Sequence, residues 1–267
     1  MSAQLRHNVQ LAGQGTATMV FAHGFGCDQT MWRYLTAAYQ DRFRVLTYDL
    51  AGSGKSDLAA YDRARYATLH SHADDLLAII DEYATGSVVL VGHSVGATIG
   101  MLATIAAPER FTAQIMVSPS PCYINDGDYI GGFTRDDIDE LLETMETNFI
   151  AWSHSLAPVI MGALHRPDLS TELTTSFCRN DPEIACHFAG VTFLSDHRAD
   201  VPRSTVPALI MQCSDDLIAP RTVGQWLHRH LPRSTLSVLG NVGHCPHMSA
   251  QAASSDAIDA FLAQPLR

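Results

Sequence analysis

The sequence predicts an α/β fold, a mostly parallel sheet with helices on both faces, and three observations carry that expectation. Short β-branched and apolar runs alternate with segments of helical hydrophobic period. The chain has 267 residues, 46% hydrophobic and 17% charged, which suits one globular core with an inserted subdomain and excludes disorder or collagen-like repetition. The motifs rich in glycine and histidine fall just after candidate strands, where open α/β sheets bind ligands.

The first clear strand is Thr18–Ala22, followed by the loop His23-Gly24-Phe25-Gly26-Cys27. A second strand, Arg44–Tyr48, runs into the turn Asp49–Ser56, and a helix is expected over Tyr66–Tyr83. Val88–Val91 reads as a strand, Val95–Ala106 as an apolar helix and Gln114–Val117 as the next strand. The alternation then stops after Pro121 until about Pro207, an interval too long for a bare loop. Within it Thr134 can cap a helix with Asp137, after which Ile138, Leu141, Leu142, Met145, Phe149 and Trp152 recur at helical spacing. Asp181-Pro182 marks another helix start, leading into Ile184, Phe188 and Val191. Residues 121–206 are therefore expected to form a helical lid over the ligand-binding surface, with 1–120 and 207–267 as the core. Ala208–Gln212, Thr222–Leu231 and Thr235–Leu239 complete it as strand, helix and strand.

Charge narrows the function classes. Lys+Arg 17 against Asp+Glu 28 gives a net charge of −11, with Lys55 the single lysine, so no nucleic-acid partner is expected. Met1–Gly15 lacks a basic segment followed by an apolar one, and apolar runs such as Leu76–Ile80 end after a few residues; a cytoplasmic protein without membrane association is expected. The cysteines at 27, 122, 178, 186, 213 and 245 form no CxxC pair and are read as reduced thiols, mostly buried.

The chemistry begins with Gly92-His93-Ser94-Val95-Gly96, between a strand and a helix. So sharp a turn strains the backbone at Ser94 and presents its hydroxyl at the sheet edge, while the helix N-terminus directs free amides at developing negative charge. A serine hydroxyl needs a base, and the base needs a carboxylate to orient it. His244 follows the last strand in a Gly-flanked loop; Asp215 and Asp216 compete for the acid role, and Asp216 is preferred. Phe25 and Val95 would supply two backbone oxyanion donors. Two other patterns carry less. Gly52-Ser53-Gly54-Lys55-Ser56 looks like the tail of a phosphate-binding loop, but Asp49 stands where its carboxylate would repel a polyphosphate. His70/His72, His228/His230 and His244/His247 lack a third ligand nearby in sequence, so neither metal nor cofactor is expected.

Taken together, His23-Gly24-Phe25-Gly26, the Asp49, Gly52, Gly54 and Ser56 pattern, Gly92–Gly96, Asp216 with Pro220, and Gly243-His244 resemble the α/β-hydrolase superfamily along nearly the whole chain, including its order of serine, acid and histidine. Ser118-Pro119-Ser120-Pro121-Cys122-Tyr123, Gly131-Gly132-Phe133, Asp181-Pro182, Phe193-Leu194-Ser195-Asp196-His197-Arg198 and His244-Cys245-Pro246-His247-Met248 are similar to its RsbQ-like branch, to which the plant karrikin and strigolactone receptors are related. The resemblance implies a V-shaped helical lid and an enclosed apolar pocket. Its Asp-x-x-x-Pro pattern implies Asp216 as the acid, and it implies Phe25, Phe133, Trp152, Phe193 and Leu217 as pocket residues. Leu156 stands where the plant receptors tend to carry an aromatic.

Two readings follow. One is a serine esterase or lactonase acting on small apolar substrates through Ser94, His244 and Asp216. The other, implied by the resemblance, is a stress-signalling protein that binds or slowly hydrolyses a small hydrophobic ligand and regulates a PAS-domain phosphatase. Both need an intact triad.

Overall fold

The computed structural model describes residues 3–265, so the outermost positions of the expected core, 1, 2, 266 and 267, lie outside the described residues. Seven strands form one sheet: β1 (Gln10–Ala12), β2 (Thr18–Ala22), β3 (Arg44–Thr47), β4 (Val88–His93), β5 (Phe111–Val117), β6 (Ala208–Asp215) and β7 (Ser234–Val242). Their spatial order is β1-β3-β2-β4-β5-β6-β7; β1 pairs antiparallel with β3, and every other pair is parallel. The six expected strands are all present. β1 is the addition: three residues, two of them exposed and one half-buried, are too few to show a period of two.

The helices are α1 (Ala3–His7), α2 (Arg33–Tyr39), α3 (Leu69–Tyr83), α4 (Val95–Ala106), α5 (Arg135–Thr147), α6 (Phe149–Met161), α7 (Pro167–Cys178), α8 (Pro182–Phe193), α9 (Arg221–His230), α10 (Pro246–Ser249) and α11 (Gln251–Leu262). β2 and β4 are buried throughout, which is why they read as continuous apolar runs. Alternation still sorts their side chains. Val20 and Leu90 join Leu76, Ile80 and Ile99 of α3 and α4, whereas Met19, Phe21, Val89 and Val91 join Trp32, Leu35 and Phe261 on the other face. Among the described residues no helix is long and apolar enough to cross a membrane. All six cysteines are free, with Cys27, Cys122, Cys213 and Cys245 buried and Cys178 and Cys186 partly so.

α3 begins at Leu69, not at Tyr66. Tyr66 is stacked on Tyr61 with ring centroids 5.0 Å apart and donates its hydroxyl to Asp75 at 2.6 Å, and Thr68 is extended, so the helix cannot start earlier. Helices α5 to α8 fill most of the interval between β5 and β6. Thr134 and Asp137 form the anticipated capping box, and Asp181 accepts from Glu183 N and Ile184 N at 3.0 and 3.1 Å. The apolar series from Ile138 to Trp152 is divided between two helices. Asn148, at φ −152° and ψ 81°, ends α5 and caps α6 by accepting from Ala151 N at 3.0 Å. α7 was not anticipated, although Pro167 in its first turn and the spacing of Leu169, Leu173 and Phe177 mark it.

Buried histidines give the fold an acid sensitivity. Burial lowers the pKa of His72 and of His247 from 6.5 to about 3, and that of His93 well below 6.5. Between the folded and unfolded values the unfolded chain binds more protons, so stability is whole above about pH 6.5 and falls as the pH drops toward about 3. The melting temperature is expected to decline steadily as the pH falls from about 6.5 toward about 3. Both His72 ring nitrogens lack partners among the described residues, and the ring packs between Tyr66 and Phe188. His72→Phe is therefore expected to flatten the decline; an equally steep one would place the titration elsewhere.

Candidate active site

Ser94 occupies the single-residue turn between β4 and α4, at φ 53° and ψ −122°, a conformation costly for any residue with a Cβ. Its amide is tied to Val117 O at 2.9 Å. Close approach explains the flanking glycines: a Cβ added at Gly92 would lie 2.5 Å from Gly96 O, and one at Gly96 would lie 2.5 Å from both Ala22 O and His23 O. The loop after β2 thus rests directly on the start of α4.

Asp216 stands just beyond β6, where a register shift between Cys213 and Asp215 turns the chain. Asp216 is buried, whereas Asp215 is exposed and contributes its backbone oxygen to Gly243 N at 2.8 Å. Asp216 Oδ1 accepts from Ile218 N at 2.9 Å and Ala219 N at 3.1 Å, and Oδ2 accepts from His244 Nδ1 at 2.8 Å. A carboxylate that accepts from Nδ1–H leaves the lone pair on Nε2, the tautomer a base requires. His244 is itself braced at its backbone: its amide donates to Ile160 O at 2.8 Å and its carbonyl accepts from His93 Nε2 at 2.9 Å.

A small chamber of about 30 Å³ brings Ser94 and His244 together, lined also by Phe25, Cys27, Tyr123, Phe193 and Ile218. His244 Nε2 has no partner there among the described residues, and the Ser94 hydroxyl is paired with Tyr123 OH at 3.3 Å. Tyr123 is a site residue that sequence reasoning did not single out. Its signal was a phenol at the end of the Ser118-Pro119-Ser120-Pro121-Cys122 run just past β5, since a buried hydroxyl needs a partner. Burial raises its pKa to about 12, which keeps it protonated and able to donate. The amides of Phe25 and Val95 have no acceptor among the described residues, and Val95, first in α4, has none within its helix.

The remaining candidates lie farther out. Phe133, Trp152, Leu156 and Leu217 line a groove of about 730 Å³ that also carries Asp137 and Glu140. Leu217 is 65% exposed. Ile218 faces both spaces, and Trp152 meets Phe25 edge-on at 6.2 Å. The expectation of one closed, apolar pocket therefore becomes two spaces: Phe25 and Phe193 are at the chamber and the other four at the groove. The turn Gly52–Ser56 wraps a carboxylate of its own, because Asp49 accepts from Lys55 N and Gln29 N at 2.9 Å and from Asn8 Nδ2 at 2.8 Å.

The model of the alpha/beta hydrolase family matches residues 19–257. The chain belongs to the α/β-hydrolase family. It is 39% identical to the karrikin insensitive 2 receptor CA of Petunia hybrida, over 91% of each chain. It is 36% identical to the strigolactone esterase D14 of Arabidopsis thaliana, over 92% of each. Among solved structures, this α/β hydrolase is similar to a hydrolase from Oleispira antarctica, with a TM-score of 0.93 and 38% identity over 98% of this chain and 97% of the other.

Proposed function

We propose that the protein is a carboxylic-ester hydrolase that cleaves small apolar esters or lactones through a serine acyl-enzyme. The observation that carries this is the buried Asp216–His244 pair, whose free Nε2 shares one chamber with the strained Ser94. The names of the strigolactone esterase and of the Oleispira hydrolase point the same way. Ser94 Oγ leaves Tyr123, attacks the carbonyl carbon and gives its proton to His244 Nε2. Phe25 and Val95 amides hold the oxyanion. The C–O bond to the alcohol breaks as His244 returns the proton to the leaving oxygen. Water then attacks the acyl carbon, His244 takes its proton, and the acid departs as Ser94 recovers its hydrogen. The chamber suits one short substituent, and the groove beyond Ile218 takes the rest. The chamber wall carries no Asp, Glu, Lys or Arg and offers nothing to replace the hydration of a charged substrate, while Asp137 and Glu140 at the groove repel an anionic one, so uncharged esters are favoured.

Repeated turnover of short acyl esters tests this reading; acylation once per molecule without further turnover would overturn it in favour of ligand sensing. The aromatics test the division of space. Phe193 packs on Tyr123 at 5.1 Å and on Phe25 at 5.8 Å, so Phe193→Ala is expected to extend the accepted chain length. Phe133, partly exposed at the groove, should raise KM when truncated with little change in kcat or melting temperature. Lower melting temperatures with unchanged chain-length profiles would assign both residues to lid packing alone.

A further inference from the structure

We propose that His23 is a positioning residue that sets the Phe25 amide as an oxyanion donor by locking the Gly24–Phe25 peptide plane. This rests on the ester-hydrolase reading and adds a residue to its machinery.

His23 is wholly buried at the end of β2, and both ring nitrogens are engaged. Nε2 lies 2.9 Å from Leu50 N, and Nδ1 lies 2.9 Å from Gly24 O. An amide can only donate, so Nε2 holds the lone pair and Nδ1 holds the hydrogen that reaches Gly24 O. The pattern selects the Nδ1–H tautomer, because a hydrogen on Nε2 would face the Leu50 N–H.

Gly24 O also accepts from Cys27 N at 3.3 Å, closing a tight turn in which Gly26 takes φ +72°. In a trans peptide the carbonyl and the next N–H point in opposite directions. Two bonds drawing Gly24 O to one side therefore send the Phe25 N–H to the other. A Cβ at Gly24 would run into His93 Nδ1 and lie 3.4 Å from Ser94 Cβ, so this peptide stands against the serine. Glycines on either side of Phe25 would otherwise make rotation of that peptide plane inexpensive. The imidazole opposes it from the first residue of the loop. Its second anchor is firm as well, since Leu50 follows Asp49, whose carboxylate is held by Gln29 N, Lys55 N and Asn8 Nδ2. The Asp49–Ser56 turn thereby acquires a use that no phosphate could give it.

Two variants of similar polarity separate this role from simple packing. His23→Asn keeps a donor where Nδ1 was; His23→Gln reaches only the place of Nε2. With p-nitrophenyl acetate, His23→Gln is expected to lose about 10² in kcat with KM within about twofold, the cost of removing one oxyanion donor. A trifluoromethyl ketone, which forms an oxyanion on Ser94, should bind His23→Gln weaker by the same factor, and His23→Asn should recover most of both quantities. Equal losses in the two variants, or lower melting temperatures without the kcat and ketone effects, would overturn the proposal. Wild-type protein without ester turnover would sink the hydrolase reading itself. Wild-type turnover matched by His23→Gln would sink the His23 assignment alone.

Discussion

Ser94→Ala is expected to cut p-nitrophenyl acetate turnover by about 10⁶ and to abolish labelling by a fluorophosphonate probe, which the wild type takes up once per chain. Loss of the nucleophile alone costs as much as loss of the whole triad because base, acid and oxyanion donors have nothing left to act upon. The fold should not suffer. The alanine keeps the Ser94 N to Val117 O bond and forfeits only the contact of the hydroxyl with Tyr123 at 3.3 Å. Its Cβ retains the backbone cost of φ 53°, so Ser94→Gly, equally inactive, should melt at a higher temperature than Ser94→Ala. Labelling or turnover that survives in either variant would remove Ser94 from the reaction.

What the sequence reveals about this molecule follows from where its chemistry sits. Strands buried on both faces read as apolar runs, and ligands bind at their carboxyl ends, so the loops carrying His23, Ser94, Asp216 and His244 stand out together. Features that depend on packing stay hidden. Ile138 to Trp152 has one helical period on both sides of Asn148, and only the φ and ψ of that residue divide it. Phe133, Leu156 and Leu217 have the composition of a pocket wall, yet periodicity does not say whether an apolar stripe faces the chamber or the groove. The Ser94–Tyr123 contact spans a sheet crossing. The tautomer of His23 is set by an amide from another loop, Leu50 N, and spacing alone does not disclose that partner.

The two neighbouring aspartates allow a second test of large effect. Asp216→Asn is expected to lower kcat by about 10⁴, and Asp215→Asn to change it little. The hydrogen bonds explain why an isosteric change should be so damaging. Asp216 Oδ1 accepts from two backbone amides, Ile218 N and Ala219 N, so an asparagine there must place its oxygen in that position. Its NH₂ group is then left facing His244 Nδ1, where Oδ2 had accepted at 2.8 Å. Two donors cannot face each other, so the imidazole moves its hydrogen to Nε2 and loses the lone pair with which it would take the Ser94 proton. Asp215 offers a matched control one residue away: its side chain is exposed, and its backbone bond to Gly243 N survives the same substitution. Nitrogen-15 shifts of the His244 ring would show the exchange of tautomers directly in Asp216→Asn. A large kcat loss without that exchange would separate the effect from the tautomer, and a larger loss in Asp215→Asn would move the acid by one residue.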